Sequence, residues 1–423
     1  MKFKIFLSLS LLLCSSNFMF GQEIKPKYNA VDDGQKVELI SRQIVVGAEQ
    51  PELYFPLVEG KKIAVVTNQT GKVSELTQLK NKYKKNPVNR YESIVDFFLE
   101  NKLNVKKIFS PEHGFRGDAD AGASVKSGVD DRTGLPVISL YGKNKKPTAE
   151  QLKELDVIIF DLQDVGARFY TYISTLHYVM EAAAENDIPL IVLDRPNPNG
   201  HYVDGPVLRP KFKSFVGMHP VPVVYGMTIG EYAQMINGES WLANGIKCDL
   251  TVVPLKNYSH KSKYSLPIKP SPNLPNDRAI NLYPSTCFFE AFNGSEGRGT
   301  DKAFQIYGSP YLKNMDYQFV PKPNSGSKSP RFQGQVCYGE DLSNTPYLSE
   351  INLEWLIKAH RNYEGKEPFW IKNSGEFWID KLAGTDELRK QIDAGWAAEQ
   401  IKATWHEELE EFKSVREKYL IYD

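Results

Sequence analysis

A short run of apolar residues, from Val157 to Phe160, limits the folds open to this chain more than any other segment. A strand that is apolar on both faces must be covered on both sides, which is typical of a central strand in a parallel sheet. Other short apolar or β-branched runs stand along the first half, at 62–67, 105–109, 137–141 and 189–193. Helical patterns such as 170–186 lie between them, so the chain predicts a Rossmann-like, doubly wound, mostly parallel α/β sheet.

The sequence changes character near residue 265, where Pro, Gly, Asn and Ser become frequent. A chain of 423 residues is long enough for two domains. We therefore predict an N-terminal leader at 22–55, a Rossmann-like domain at 56–265 and a smaller α+β auxiliary domain at 266–423.

Three segments carry more specific expectations. Residues 37–46 are expected to form a helix on the main body, and residues 250–253 a strand that returns to the sheet. In the segment 397–419, apolar residues recur every three or four positions. This spacing predicts one long helix whose apolar stripe packs in the core.

The first 21 residues have the pattern of a secretory signal peptide. Lys2 and Lys4 precede an apolar run from Ile5 to Leu13, and the small residue Gly21 follows. We expect cleavage after residue 21, export to the periplasm or the medium, and no membrane span in the mature chain; an uncleaved anchor or a core strand is the alternative. Three cysteines would remain, an odd number that does not suit a disulfide framework: Cys248, Cys287 and Cys337.

Charge and motif content exclude several classes of protein. Lys plus Arg and Asp plus Glu are both 52, so the formal net charge is zero, which argues against a nucleic-acid partner. The sequence contains no Gly-x-Gly-x-x-Gly for a dinucleotide, no P-loop and no Gly-x-Ser-x-Gly nucleophile elbow. A dinucleotide bound in the usual way and a serine hydrolase are therefore not expected.

Charged residues are concentrated in three loops, each directly after a predicted strand. The loops read Ser-Pro-Glu-His-Gly-Phe-Arg-Gly at 110–117, Asp-Leu-Gln-Asp-Val-Gly-Ala-Arg at 161–168 and Asp-Arg-Pro-Asn-Pro-Asn-Gly at 194–200. Ligands of open α/β sheets bind outside the carboxyl ends of the strands. The three loops therefore predict one site at this edge of the sheet.

Glu112 is the sharpest candidate for catalysis in these loops. A carboxyl group partly buried at a strand end can carry a proton at neutral pH and act as a general acid. The alternative is a carboxylate that only stabilises a helix N-terminus. His113 either orients Glu112, contacts the substrate, or forms a structural hydrogen bond; no second histidine at helical spacing makes it a zinc ligand.

The same loops supply candidate substrate-binding residues. Arg116, Arg168 and Arg195 can hold a carboxylate through paired hydrogen bonds, and Asp164 and Asp194 are the candidate acceptors. Alternatively, the arginines neutralise the aspartates of these loops as internal ion pairs, and we expect at least one to do so.

The second half contributes one further loop, at 290–300. It carries Glu290, Glu296 and Arg298, with glycines on both sides of the arginine that allow close approach of a ligand. A structural turn is an equally good interpretation. Asn273 stands in a stiff, proline-rich loop and is a candidate substrate contact.

Six motifs, in order along the chain, resemble those of one enzyme family. They read Ser-Pro-Glu-His-Gly-Phe-Arg-Gly at 110–117, Asp-Val-Gly-Ala-Arg-Phe-Tyr-Thr-Tyr at 164–172, Leu-Asp-Arg-Pro-Asn-Pro at 193–198, Pro-Ser-Pro-Asn-Leu-Pro at 270–275, Ser-Glu-Gly-Arg-Gly-Thr at 295–300 and Leu-Ala-Gly-Thr at 382–385. The family is that of the exo-β-N-acetylmuramidases of the NamZ type, glycoside hydrolase family 171. The resemblance covers the chain from about residue 61 to its C-terminus.

This resemblance implies a Rossmann-like domain and a smaller auxiliary domain with the site between them. It implies release of terminal N-acetylmuramic acid from peptidoglycan-derived muramyl saccharides, with the catalytic glutamate at Glu112 and no cofactor or metal. Two stretches depart from the family pattern: Asn-Gly-His at 199–201 and Phe-Glu-Ala-Phe at 289–292.

The implied reaction needs a second group beside the acid. Glu290, Glu296 and Asp194 are the candidates, and the acetamido group of the substrate is another. The arginines of the site, including Arg298, can bind the lactyl carboxylate of the sugar. Tyr172, which opens a predicted helix near this edge, either packs on the sugar or is structural.

Two other functions remain open at this point. A non-catalytic periplasmic sugar- or muropeptide-binding protein can share a two-domain cleft. An ester or amide hydrolase would use Asp164 and His113.

Overall fold

The large sheet of the protein is built from strands of the first half. The computed structural model describes residues 43–74, 91–112, 114–116 and 127–423. Nine strands come first in the chain: β1 (Ile63–Thr67), β2 (Lys72–Ser74), β3 (Tyr91–Ser93), β4 (Val105–Ser110), β5 (Gly128–Val129), β6 (Pro136–Ser139), β7 (Val157–Asp161), β8 (Leu190–Leu193) and β9 (Leu250–Val253). Seven of them form one sheet in the order β5–β6–β4–β1–β7–β8–β9, and β2 pairs with β3.

The order of the strands confirms the predicted doubly wound topology. The strands from β6 to β9 in this order pair in parallel, and only the two-residue edge strand β5 is antiparallel. The chain starts at β1 in the middle, adds β4 and β6 on one side, and then returns to add β7, β8 and β9 on the other. The turning point between β1 and β7 is where such sheets bind ligands.

Helices cover both faces of this sheet. Those of the first half are α1 (Pro51–Val58), α2 (Ile94–Glu100), α3 (Ala149–Leu152), α4 (Tyr172–Glu185) and α5 (Ile229–Gly238). One apolar cluster contains α1 and α2 with Ile63, Val65 and Ile159, and the other contains α4 and α5 with Val66 and Phe160. Alternate residues of each central strand thus face opposite clusters, as their unbroken apolar sequence predicts.

The second half adds a small antiparallel sheet and short helices. Its strands are β10 (Ile306–Ser309), β11 (Tyr317–Phe319), β12 (Cys337–Asp341), β13 (Lys372–Asn373) and β14 (Glu376–Phe377), with the first three in the order β10–β12–β11. Its helices are α6 (Asp277–Thr286), α7 (Glu354–Arg361), α8 (Trp378–Ala383), α9 (Glu387–Asp393), α10 (Ala398–Ala403) and α11 (His406–Arg416). The prediction of a smaller α+β part is confirmed.

Both halves share the larger apolar cluster, which runs from the sheet face under α4 to Phe412 in α11. Residues from Gln43 to Asp423 form one compact unit. The predicted boundary at residue 265 remains a prediction, because residues on both sides of it contribute to this core. Within the described ranges, no helix is long and apolar enough to cross a membrane.

Two element predictions need correction. Residues 43–46 form no helix, because Val45 pairs with Lys256 through two backbone hydrogen bonds of 3.1 and 3.0 Å; residues 37–42 lie outside the described ranges. The segment 397–419 is not one helix but α10, α11 and a final 3₁₀ turn. The Thr404 hydroxyl, 2.6 Å from the carbonyl of Ile401, bonds where the helix is interrupted. The apolar stripe is nevertheless buried as predicted, and the strand at 250–253 does return to the sheet.

Candidate active site

Glu112 lies at the carboxyl edge of the sheet, two residues beyond the end of β4. This strand is the neighbour of β1, so Glu112 stands beside the turning point of the topology. Its side chain is half-buried, and the hydroxyl of Thr171 donates to its Oε2 at 3.0 Å. Thr171 immediately precedes α4, so the carboxyl group lies at a helix N-terminus, which favours negative charge there.

Tyr141 is a second hydrogen-bonding neighbour of Glu112 and was not among the residues predicted from the sequence. It lies two residues beyond the end of β6, the strand that pairs with β4. Burial, then the charge and hydrogen bond of Glu112, raise the pKa of the Tyr141 hydroxyl above its usual value, and Glu290 adds a smaller effect. Glu112 and Glu290, from the two halves of the chain, therefore act on one phenol.

Glu290 and Glu296 share one guanidinium. Arg298 Nη1 lies 2.9 Å from Glu290 Oε1 and 2.6 Å from Glu296 Oε1. The side chain of Glu296 is 5% exposed and that of Glu290 19%. Burial opposes ionisation of Glu296, but Arg298 and Arg331 together hold its pKa below the usual value. Glu290 is thus the more accessible carboxylate of the pair.

An aromatic wall extends the site away from Glu112; it consists of Tyr141, Phe215 and Tyr178. The Phe215 ring centroid is 6.2 Å from that of Tyr141 and 6.3 Å from that of Tyr178, which stacks on it at 19°. Lys145 Nζ lies 4.5 Å from the Phe215 centroid. All four side chains are half-buried, so the wall presents apolar faces and one cation. Flat apolar faces of this kind suit the apolar side of a sugar ring.

Tyr172 lies inside the wall of the site rather than on its surface. Its side chain is 1% exposed, its hydroxyl accepts from the amide of Asn68 beyond β1, and its ring packs edge-on against Tyr170 with centroids 4.7 Å apart. Tyr170 in turn donates to the carbonyl of Pro270 at 2.7 Å. These contacts join the ends of β1 and the start of α4 to the second half of the chain.

Arg195 and Arg116 form ion pairs within the protein, as Arg298 does. Arg195 donates to both oxygens of Asp161 at 2.6 and 2.9 Å, which confirms the expectation that at least one arginine neutralises a strand-end aspartate. Arg116 donates to both oxygens of Asp130 at 2.9 and 2.8 Å and keeps 31% of its side chain exposed.

Arg168 binds only backbone oxygens among the described residues. Its guanidinium donates to the carbonyls of Pro206 at 2.8 Å, Val221 at 2.6 Å and Leu382 at 2.9 Å, and its side chain is fully buried. Burial lowers its pKa to about 9. It thereby links the first half of the chain to α8 in the second.

Asp164 is buried beside the turning point. Its Oδ2 accepts from the amide of Gly166 at 2.7 Å and from the hydroxyl of Tyr225, while its Oδ1 has no hydrogen-bond partner among the described residues. Burial raises the pKa of Asp164 to about 6.

Asp194 caps α5. Its Oδ1 accepts from the amides of Arg195 at 2.9 Å and Gly230 at 2.8 Å, and its Oδ2 from the hydroxyls of Thr228 at 2.8 Å and Tyr422 at 2.7 Å. Burial raises the pKa of Asp194 to about 7 despite these donors. All of its described contacts belong to the protein's own framework.

Two other predicted residues are placed differently. Asn273 is buried and donates to the carbonyl of Gly326 at 2.7 Å, so its amide holds a loop of the second half. His113 lies outside the described residues. No group of three His, Cys, Asp or Glu side chains close enough to hold a metal occurs in the described part of the chain.

The arrangement suits acid-assisted cleavage of a small polar molecule. Glu112 is hydrogen-bonded by two hydroxyls, the charge of Glu290 acts on one of them, that of Tyr141, and the aromatic wall continues from this residue. Glycoside hydrolysis generally uses two Asp or Glu residues, one of them a general acid.

Comparison with known proteins gives the family. Residues 63–278 match the N-terminal domain of the exo-beta-N-acetylmuramidase NamZ, and residues 281–422 match its C-terminal domain. The peptidoglycan beta-N-acetylmuramidase NamZ of Bacillus subtilis (strain 168) is 40% identical over 390 residues, which cover 87% of this chain and 89% of that protein.

Two crystal structures of DUF1343 family proteins from Bacteroides fragilis NCTC 9343 are similar. One is 44% identical with a TM-score of 0.79, and the other 29% identical with a TM-score of 0.73. Each alignment covers 90% of this chain and 99% of the other. The fold is therefore shared along nearly the whole length.

Proposed function

The chain belongs to the NamZ exo-β-N-acetylmuramidase family and is a glycoside hydrolase, and from this premise we propose that it releases terminal N-acetylmuramic acid from peptidoglycan fragments. The position of Glu112 carries the proposal: a half-buried carboxyl group at the carboxyl edge of the sheet, oriented by Thr171. Both its sequence motif and its position at this edge of the sheet favour Glu112 as the catalytic glutamate.

Glu112 is the proposed general acid. The carboxylic acid gives its proton to the glycosidic oxygen while the bond from that oxygen to the anomeric carbon breaks. The oxygen of a water molecule then bonds to the anomeric carbon, and the proton that the water loses replaces the one given by the acid. Glu290 is the proposed partner that stabilises positive charge on the sugar or removes a proton from the water. Glu296 and Asp194 are less suitable because both are buried and bonded within the framework.

The site acts outside the cytoplasm in this proposal. The support is the sequence of residues 1–21, with two early lysines and an apolar run. N-terminal sequencing of protein recovered from the periplasm or medium should begin after residue 21. A chain that keeps Met1 and stays in the cytoplasm would refute export.

The test of the activity uses peptidoglycan disaccharides of both sugar orders. The purified protein should hydrolyse only the disaccharide that has N-acetylmuramic acid at its non-reducing end, and mass analysis should show its two free sugars while the disaccharide of the opposite order stays intact. Hydrolysis of the disaccharide with N-acetylglucosamine at its non-reducing end instead, or tight binding without any product over hours, would refute the proposal.

Glu112→Gln tests the acid directly. Its turnover of the disaccharide should fall by about 10²- to 10⁴-fold, because the amide has no proton to give. A nitrophenyl muramide should lose less, since nitrophenolate leaves without being protonated. Thermal unfolding of the variant at the wild-type temperature shows that the fold is intact. Equal losses on both substrates would argue against Glu112 as the acid.

A further inference from the structure

Tyr141 and Glu112 occupy equivalent positions on neighbouring strands. β4 and β6 pair in parallel, with Ser110 opposite Ser139 at their carboxyl ends. The pairing continues one residue further, because the amide of Leu140 donates to the carbonyl of Ser110 at 2.8 Å. Each side chain stands two residues beyond its serine, so the sheet itself places the phenol beside the carboxyl group.

The phenol reaches Glu112 as a hydrogen-bond donor. The electrostatic surroundings of Tyr141 include a side-chain hydrogen bond with Glu112, and burial with this nearby carboxylate keeps its pKa high. A neutral phenol beside a carboxylate is the donor of the hydrogen bond between them, and the carboxylate oxygen is the acceptor. Thr171, the residue before α4, donates to Glu112 Oε2. The carboxyl group therefore accepts hydrogen bonds from the start of α4 and from the loop after β6.

We propose that Tyr141 is a positioning residue for Glu112: with Thr171, it fixes the orientation from which the carboxyl group delivers its proton to the glycosidic oxygen. The inference rests on the proposed function of Glu112 and adds the residue that orients it. The ring of Phe215, whose centroid lies 6.2 Å from that of Tyr141, packs against the phenol ring.

Other ionisable groups also face Glu112. The charge of Glu112 contributes to the raised pKa of Tyr170 and of Tyr172, at the start of α4. The charge of Glu290, in the second half of the chain, contributes to the raised pKa of Tyr141. His113 adjoins Glu112 in the sequence and lies outside the described residues. Tyr141→Phe leaves all of these groups in place, so a change in the pH profile of this variant reports the lost donor alone.

Kinetics give the first test. Tyr141→Phe should lower kcat on the disaccharide by about 10- to 100-fold with little change in KM, the effect of losing one hydrogen bond to a charged group. Because the variant loses a hydrogen-bond donor beside the proposed acid, the alkaline limb of the pH–rate profile should move upward. The loss should be smaller on the nitrophenyl muramide.

Tyr419→Phe is the matched control. The Tyr419 hydroxyl also donates to a carboxylate, that of Glu239 at 2.6 Å, but this pair joins the C-terminal tail to the end of α5 and is no part of the site. Its loss of a hydroxyl should leave kcat within about twofold of the wild type and the pH profile unmoved. Equal effects of Tyr419→Phe and Tyr141→Phe, or an unmoved alkaline limb in Tyr141→Phe, would overturn the proposal.

A measurement without substrate separates this inference from the proposed function. In the full chain labelled with ¹³Cζ-tyrosine, the Tyr141 signal, assigned with Tyr141→Phe, should shift between acidic and neutral pH, and this shift should vanish in Glu112→Gln. If the wild type released no muramic acid but the shift appeared, the activity would be refuted and the pairing upheld. Absence of the shift in the wild type would refute the pairing itself.

Discussion

Arg298 contacts two glutamates that the structure nevertheless distinguishes by exposure. Both lie within 2.9 Å of one guanidinium nitrogen, but only Glu290 also acts on Tyr141. A shared cation stabilises two neighbouring negative charges without requiring that both serve the reaction. The more accessible of the two is the one that a substrate can meet.

We therefore expect Glu290→Gln and Glu296→Gln to fail in different ways. Glu290→Gln should lower kcat by about 100-fold or more at a nearly unchanged melting temperature, because it removes the more accessible carboxylate, the proposed partner of Glu112. Glu296→Gln should mainly lower the melting temperature, since Glu296 is the more deeply buried carboxylate of the pair that Arg298 holds. Kinetics and thermal unfolding of both variants provide the check, and the reverse pattern would assign the partner role to Glu296.

Lys145 is a cation available to the lactyl carboxylate of the proposed sugar. Arg116, Arg195 and Arg298 each hold a carboxylate of the protein, whereas Lys145 contacts the ring of Phe215 on the aromatic wall and forms no ion pair among the described residues. A charge-assisted bond from this ammonium would favour N-acetylmuramic acid over N-acetylglucosamine, which lacks the carboxylate.

Lys145→Met tests this preference. It should raise KM for the nitrophenyl muramide by about tenfold and leave the rate measured with the nitrophenyl glucosaminide unchanged. Lys143→Met, an exposed lysine of the same loop, is the control and should change neither value. A parallel loss on both glycosides would show that Lys145 supports the wall rather than reads the carboxylate.

At the residue scale, the sequence located Glu112 but not its surroundings. A glutamate after a strand in a specific motif can be found from local sequence alone. Tyr141 could not be found in this way, because its nearness to Glu112 depends on how two strands 25 or more residues apart are aligned. The contacts of Arg168 were equally hidden, since its acceptors are backbone carbonyls, one of them 214 residues away.

At the scale of elements, the strands were predictable because buried parallel strands need continuous apolar runs. Their order could be inferred only as a class, since residue pattern does not determine which strand neighbours which. The prediction of one long helix at 397–419 is wrong because the apolar spacing continues across an interruption of the helix. Ile401, Trp405 and Leu409 are buried on both sides of Thr404. The spacing of apolar residues predicts which face is buried, but it does not predict where the helical backbone is interrupted.

Helix α5 depends on partners from distant parts of the chain. Asp194, after β8, accepts from its first turn, and Tyr422, next to last in the chain, donates to the same carboxylate. Backbone amides of Ile421 and Tyr422 also donate to Glu231 in α5, at 2.8 and 3.3 Å. The C-terminus is thus anchored on the sheet domain.

Tyr422→Phe should reveal this anchor through its pH dependence. The pKa of Asp194 is about 7 in the folded protein and near 4 when unfolded, so this group's contribution to stability is greatest at low pH and declines as pH rises through 7. Tyr422 favours the ionised carboxylate, and its loss should cost about 1–3 kcal/mol at pH 8 and less at pH 5.

Denaturant unfolding at the two pH values gives the measurement. Tyr419→Phe is the control, because Tyr419 donates to Glu239 at 2.6 Å in the same tail but lies beside a partly exposed carboxylate. Its cost should be under about 1 kcal/mol at both pH values. Equal costs of Tyr422→Phe at pH 5 and pH 8 would show that the Asp194 contact is not the source of its effect.

At the scale of the whole molecule, the two halves share the larger apolar cluster. The apolar cluster under α4 contains residues from both, and the candidate site takes Glu112 and Tyr141 from one half and Glu290 from the other. A division of the sequence by composition anticipates two parts but not their shared interior, because composition says nothing about which apolar residues meet.

The guanidinium of Arg168, bonded to carbonyls of Pro206, Val221 and Leu382, has a consequence for inheritance and engineering. A chimaera that joins 63–278 of one relative to 281–422 of another must preserve the backbone path at Leu382 and the space around Gly384, where an added Cβ would lie 2.8 Å from this guanidinium. Both segments of a chimaera should therefore come from the same relative, because neither can be exchanged without regard to the other.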